Sequence, residues 1–261
     1  DIEKNWSSVK DQTISALKEA YGYLANKKRI TVGLTVDEEE ASQIIPIIQN
    51  QIDDLPEAKI EPLVMKFDIT EEKEAMIYPS NVNYVAMGYN FKEQGYNYHG
   101  GMLMLKTVLS MDYLWSKVRV QNGAYGCFCD FRRSGNMFFV SYRDPNIDQT
   151  LELYKEIPSY LEVLQLSDRE LLQYLIGTIS QMDFPFTPAT EGKTAQTYYL
   201  MGIKEHQLQQ SRDELFATTN ETLKQFAPLV KECLEKEYYC VFGNAQNVEN
   251  AQTEFKDQTI V

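Results

Sequence analysis

The sequence is poor in the side chains from which metal centres and disulfide frameworks are built. It holds two histidines, His99 and His206, and four cysteines among 261 residues. His99 is followed by Gly100-Gly101 and His206 by Gln207-Leu208, so neither begins a pair of imidazoles on one helix face, as a zinc helix needs. The expected roles are modest: a loop cap for His99, a solvated helix face for His206. Cys127 and Cys129 are two apart in an expected strand, which points both thiols to one face and suits no bridge between them. Cys233 and Cys240 lack the C-x-x-C spacing. Reduced, mostly buried thiols in a cytosol-like compartment are therefore expected.

Basic residues are also scarce. Lys and Arg total 25 against 38 Asp and Glu, a formal net charge of −13. That balance disfavours nucleic acid as a partner, because phosphate binding needs clustered cations. An acidic surface suits either plain solubility or attraction of basic peptides. Long apolar runs are missing: MLML at 102–105 falls far short of the ~20 residues of a membrane-spanning helix. The opening DIEKNWSSVK has no apolar stretch of the signal-peptide kind. It has no initiator Met and starts inside a helical pattern, so a piece of a longer protein is expected. No G-x-S-x-G elbow or Gly-rich phosphate loop occurs, and no His lies near Cys127 or Cys129 in sequence.

What is present suits a large packed core. Apolar residues make up 43%, with 17 Tyr and 12 Phe, enough to exclude disorder. Residues 5–26 carry Trp6, Val9, Ile14, Leu17, Ala20, Tyr21 and Leu24 at spacings of three and four, the pattern of an amphipathic helix. RITVGLTV (29–36) has strand composition, and Asp37 with the glutamates after it opens a second helix. The connection 56–74 has room for one short strand, and VNYVAMGYNF (82–91) reads as a central one. A long, mostly apolar helix is expected over 101–119, then a hairpin over 124–143 reversing at Ser134-Gly135. Helices follow at 147–164 and 168–181, the second capped by Ser167. A Pro-rich loop at 184–190 precedes helices near 194–209, 211–217 and 219–235, a last strand YYCVFG and a final helix begun near Asn247. A weak internal echo, helix–strand–helix at 14–45 and again at 221–252, hints at two related units. Strands paired through hairpins and helices in runs point to an α+β fold: a two-layer sandwich, largely antiparallel, with helices on one face.

The segment LWSKVRVQNGAYGCFCDF (114–131) singles out two side chains. Arg119 closes a helix, where a cation is favoured by the dipole; Tyr125 begins a strand, where tyrosine is common. Spacing alone allows those structural explanations. Yet Arg119-Val120-Gln121-Asn122-Gly123-Ala124-Tyr125-Gly126 resembles the R-x-x-x-G-A-Y-G segment of the presequence-protease branch of the insulinase (pitrilysin-like) zinc metallopeptidases. NVNYVAMGYNF (81–91), SYRDPNIDQTL (141–151) and LIGTISQMD (175–183) are similar to further segments of that branch, so the likeness covers most of the chain from about residue 75. Residues 1–55 resemble the helix, strand and helix leading into the last domain of such enzymes.

The resemblance implies a division at about residue 60: a leading helix–strand–helix segment over 1–60, packed on a C-terminal insulinase-family α/β domain over 61–261. It also implies the non-metal-binding C-terminal portion of a zinc metalloendopeptidase that degrades short unstructured peptides. Arg119 and Tyr125 would reach across a closed chamber to stabilise the substrate and the tetrahedral intermediate. The family's H-x-x-E-H motif is absent from this sequence, so no metal or other cofactor is expected in the chain itself. Zinc is expected in an N-terminal half of the full-length enzyme, which with the peptide substrate would be the chain's partner. Neither nucleic acid nor membrane is implied. The implied location is the cytoplasm, or a mitochondrial or plastid matrix. A catalytically inactive structural or partner subunit of the same fold is the competing expectation.

Overall fold

A computed structural model describes residues 2–57, 59 and 72–260. In chain order its elements are α1 (Trp6–Leu24), α2 (Glu38–Asp53), β1 (Lys73–Ile77), β2 (Asn83–Asn90), α3 (Gly101–Val108), β3 (Gly126–Phe131) and β4 (Asn136–Asp144). Then come α4 (Asp148–Lys155), α5 (Ile157–Val163), α6 (Asp168–Met182), α7 (Pro188–Leu200), α8 (Glu205–Phe216), α9 (Asn220–Lys224) and α10 (Ala227–Leu234). The chain ends with β5 (Tyr239–Gly243), α11 (Ala245–Asn250) and β6 (Asp257–Ile260). These elements fall into two units, Asp1–Phe67 with Pro185–Ile203, and Asp68–Phe184 with Lys204–Val261.

The first unit is helical. In α1 the apolar stripe is present, but Trp6, Leu17, Tyr21 and Leu24 are all exposed. Three glutamates, Glu38 to Glu40, fill the first turn of α2, where the helix dipole favours anions. The strand expected at 29–36 does not form. A 3-10 turn at Lys27–Arg29 leads into extended chain that leaves Ile30, Val32, Leu34 and Val36 exposed. Alternating β-branched residues express a preference, but a strand needs a neighbour to share its backbone hydrogen bonds. The short strand expected within 56–74 falls largely outside the described residues.

The second unit is a six-stranded sheet in the order β3-β4-β2-β5-β1-β6. Pairs β2–β4, β2–β5 and β3–β4 are antiparallel, while β1 runs parallel to both β5 and β6. The architecture is α+β, as the sequence suggests. Because side chains alternate across a sheet, Val85, Met87, Cys129, Phe131, Met137, Phe139, Val241 and Ala75 all point to one side and are buried. Helices cover that side. Leu105, Val108, Leu109, Leu114 and Val118 from the long helix are fully buried in the same core, each worth about 1.5–3 kcal/mol of transfer free energy.

That long helix departs from the expectation in one respect. After α3 it continues from Leu109 to Gln121 with the wider, i→i+5 spacing of a π-helix. Such turns are rare and concentrate at functional sites. The expected helix 147–164 divides into α4 and α5 around Pro158, which lacks the N–H a continuous helix would use and sits instead in the first turn of α5. Ser167 caps α6 as expected, in a reciprocal capping box with Glu170.

Candidate functional site

The side of the sheet opposite the helices carries aromatic rings. Gly126, Tyr142, Tyr84 and Phe242 are in register across β3, β4, β2 and β5, and Phe128, Val140, Ala86 and Cys240 form the next row. Tyr84 and Tyr142 stack with centroids 6.5 Å apart; Tyr84 meets Phe242 edge-on at 5.8 Å, and Phe242 stacks on Tyr78 at 5.2 Å. Tyr78, Tyr84 and Phe128 are exposed. Small residues keep this surface passable: a Cβ on Gly126 would meet the Tyr142 ring, whose edge carbon is 2.1 Å from that position.

Tyr125 stands at the margin of this surface. Its backbone N–H donates to the Arg143 carbonyl at 3.2 Å, which fixes it beside the end of β4. The ring meets Tyr142 edge-on at 5.4 Å, and the Arg143 guanidinium lies 5.7 Å from its centre. The residue is 58% exposed, and its hydroxyl has no hydrogen-bond partner among the described residues. Arg119 belongs to the π-helical turns. Its guanidinium lies 3.8 Å from the centre of the Trp115 ring, a cation–π contact between residues four apart. It is close enough to the Cys127 thiol to favour the thiolate, although burial dominates and pushes that thiol up to about 11.

Arg119 and Tyr125 therefore lie on either side of one short loop, at the same end of the edge strand β3. Their side chains share no contact among those described; Trp115 receives one and Tyr142 with Arg143 the other. The loop itself is tightly specified. Gly123 has φ +81°, in the left-handed region that favours glycine, and its N–H donates to the Arg119 carbonyl at 3.0 Å. Ala124 N–H donates to Val118 O at 3.2 Å. Sequence reasoning missed Trp115, Tyr142 and Arg143 as neighbours of the pair. Only the spacing of four between Trp115 and Arg119 was visible in advance.

The two histidines have structural or solvated surroundings. His99 accepts the Gly101 N–H on Nδ1 at 3.0 Å, as a loop cap, and His206 is exposed on α8. Among the described residues no three His, Cys, Asp or Glu side chains are grouped to hold a metal ion. The four cysteines are free. Burial pushes the Cys129 and Cys233 thiols up to about 12, which leaves them protonated and inert. No helix among the described residues is long and apolar enough to cross a membrane.

Residues 73–243 match the family described as the PreP C-terminal domain. Protein HypA of Clostridium perfringens is 36% identical over 249 residues, covering 95% of this chain and 26% of that protein. Presequence protease 1, chloroplastic/mitochondrial, of Arabidopsis thaliana is 29% identical over 256 residues, covering 97% of this chain and 23% of that protein. The chain thus spans about a quarter of the length of these relatives. Among solved structures, pitrilysin shares the fold, with a TM-score of 0.57 at 14% identity over 87% of this chain and 25% of that one. The chain belongs to the PreP C-terminal domain family, within the insulinase (pitrilysin-like) peptidases.

Proposed function

We propose that this chain is the non-metal-binding C-terminal portion of a zinc metalloendopeptidase that degrades short unstructured peptides, and that Arg119 and Tyr125 supply hydrogen-bond donors to the reacting peptide. The observation that carries the reading is the aromatic side of the sheet opposite the helices, with an exposed Tyr125 at its margin whose hydroxyl has no hydrogen-bond partner among the described residues. Aromatic rings offer an extended peptide large apolar contact at low entropic cost. They discriminate little between side chains, which suits breakdown of many peptides.

The two histidines lie far apart in the sequence and, among the described residues, no ligand cluster accompanies them, so the residues present do not fit the family's zinc. No step at a metal is therefore assigned to it. Its own contribution is electrostatic. Hydrolysis of a peptide bond places negative charge on the carbonyl oxygen, and fixed donors in a water-poor site stabilise that charge as it develops. A guanidinium is a permanent cation with several N–H donors, and a phenol adds one more. The free thiols suit a reducing compartment, whether cytoplasm or organelle matrix.

The test is peptide turnover by the full-length protein carrying Arg119→Ala or Tyr125→Phe. The expected result is a fall in kcat of about 10²–10³, with zinc content and folding unchanged. Near-normal turnover by both variants would overturn the reading and favour a structural or partner role.

A further inference from the structure

The loop that carries Arg119 and Tyr125 is tied to a second, polar turn that follows β4. Asn146 Nδ2 donates to the Asn122 carbonyl at 2.8 Å, midway between the two residues. Asn146 is itself set by Asp144, whose Oδ1 accepts the Asn146 N–H at 2.9 Å and whose Oδ2 accepts the Thr150 hydroxyl at 2.8 Å. The Asp144 carbonyl accepts Asn83 Nδ2 at 3.0 Å. Asp144, Thr150 and Asn83 are fully buried, and buried polar groups that all find partners hold one arrangement firmly. Pro145 packs under Gly123, its Cγ 3.7 Å from where a Cβ would stand. Between these contacts Arg143 is held at φ 49°, a conformation that residues with side chains seldom adopt. The surroundings impose that backbone on it. From it, the Arg143 carbonyl receives the Tyr125 N–H.

We infer that Asn146 is a positioning residue for Arg119 and Tyr125: its carboxamide, carried on a backbone that Asp144 holds, fixes the Asn122 carbonyl and so the path of the loop between the two donors. The inference rests on the proposed role of that pair, and it adds a residue that touches neither substrate nor donor side chain. Catalytic donors must be held to a fraction of an ångström, and a misplacement of about 1 Å can cost on the order of 10²-fold in rate.

The experiment is Asn146→Ala in the full-length protein, with Asn146→Asp, which keeps the shape but removes the Nδ2 donor, as the second variant should the first lose its fold. Hydrogen exchange across residues 119–126 should quicken. The value of kcat should fall by about 10- to 100-fold with KM little changed. Combined with Tyr125→Phe, Asn146→Ala should add clearly less than it costs alone, the remainder being its effect on Arg119. Unchanged exchange in 119–126, or losses that multiply in full, would overturn the inference. Near-normal turnover by Arg119→Ala and Tyr125→Phe would instead sink the functional reading, and the exchange arm would still decide whether Asn146 ties the loop.

Discussion

The Arg119 guanidinium lies over the Trp115 ring, 3.8 Å from its centre, on a tryptophan that is itself 46% exposed. A cation held this way at a partly solvated site gains about 0.5–2 kcal/mol. The gain restricts a long side chain that would otherwise sample many rotamers. On the role proposed for Arg119, Trp115→Ala should therefore lower kcat/KM of the full-length protein by about 2- to 30-fold, and Trp115→Phe should restore most of it. Equal losses in both variants would show that bulk, rather than the ring face, is what Arg119 needs.

Asp144 makes stability depend on pH in a predictable direction. Burial raises its carboxyl above the ordinary aspartate value, against the lowering effect of the nearby Ser141 hydroxyl, the Asn146 N–H and the Thr150 hydroxyl. A group raised in the fold binds protons more tightly there than in the unfolded chain, so stability falls as pH climbs through that window. Asp144→Asn keeps an acceptor for Asn146 and a donor for a rotated Thr150 hydroxyl, yet it cannot ionise. Denaturant midpoints at pH 4 and pH 7 should show the variant gaining on the wild type toward pH 7. A constant gap at both values would refute the account.

Two glycines on the uncovered side of the sheet should differ in tolerance. A Cβ at Gly88 would stand 2.3 Å from the Met137 carbonyl oxygen and 2.8 Å from the Phe138 Cα, both backbone. At Gly126 the obstacle is the Tyr142 ring, a side chain that can turn. Overpacking of this sort costs about 1–3 kcal/mol. Gly88→Ala should lie at the upper end and Gly126→Ala at the lower, read from thermal midpoints of each variant.

The thiols should be silent. Cys129 is fully buried and pushed up to about 12, and Cys127 to about 11. Iodoacetamide at pH 8 should leave both unmodified in the native protein and alkylate them after unfolding, as mass spectrometry would show. Rapid native labelling of Cys129 would contradict its placement under the helices.

Local chemistry made part of this molecule legible. The Ser167–Glu170 capping box, the hairpin around Gly135 and the burial of Leu105, Val108 and Leu114 each follow from a few neighbouring residues. What stayed hidden depends on distant partners. Nothing in RITVGLTV says whether a neighbouring strand exists to receive it. The placement of β1 between β5 and β6 and the existence of β6 are properties of the assembled sheet. The three-and-four spacing of the long helix does not distinguish α from π turns at 109–121. Arg119 and Tyr125 are singled out by a motif, and their role is a proposal. The Asn146–Asn122 hydrogen bond is signalled by none, because it joins residues 24 apart that meet only once the β3–β4 register is set.

The wall of rings formed by Tyr78, Tyr84, Phe128 and their neighbours has a bearing on anyone who purifies this chain by itself. Greasy, water-facing patches invite clumping, so the solitary polypeptide should brighten the dye ANS while still folded and should drift toward aggregates as it is concentrated. Mild detergent or an added peptide ought to quench the first effect and slow the second.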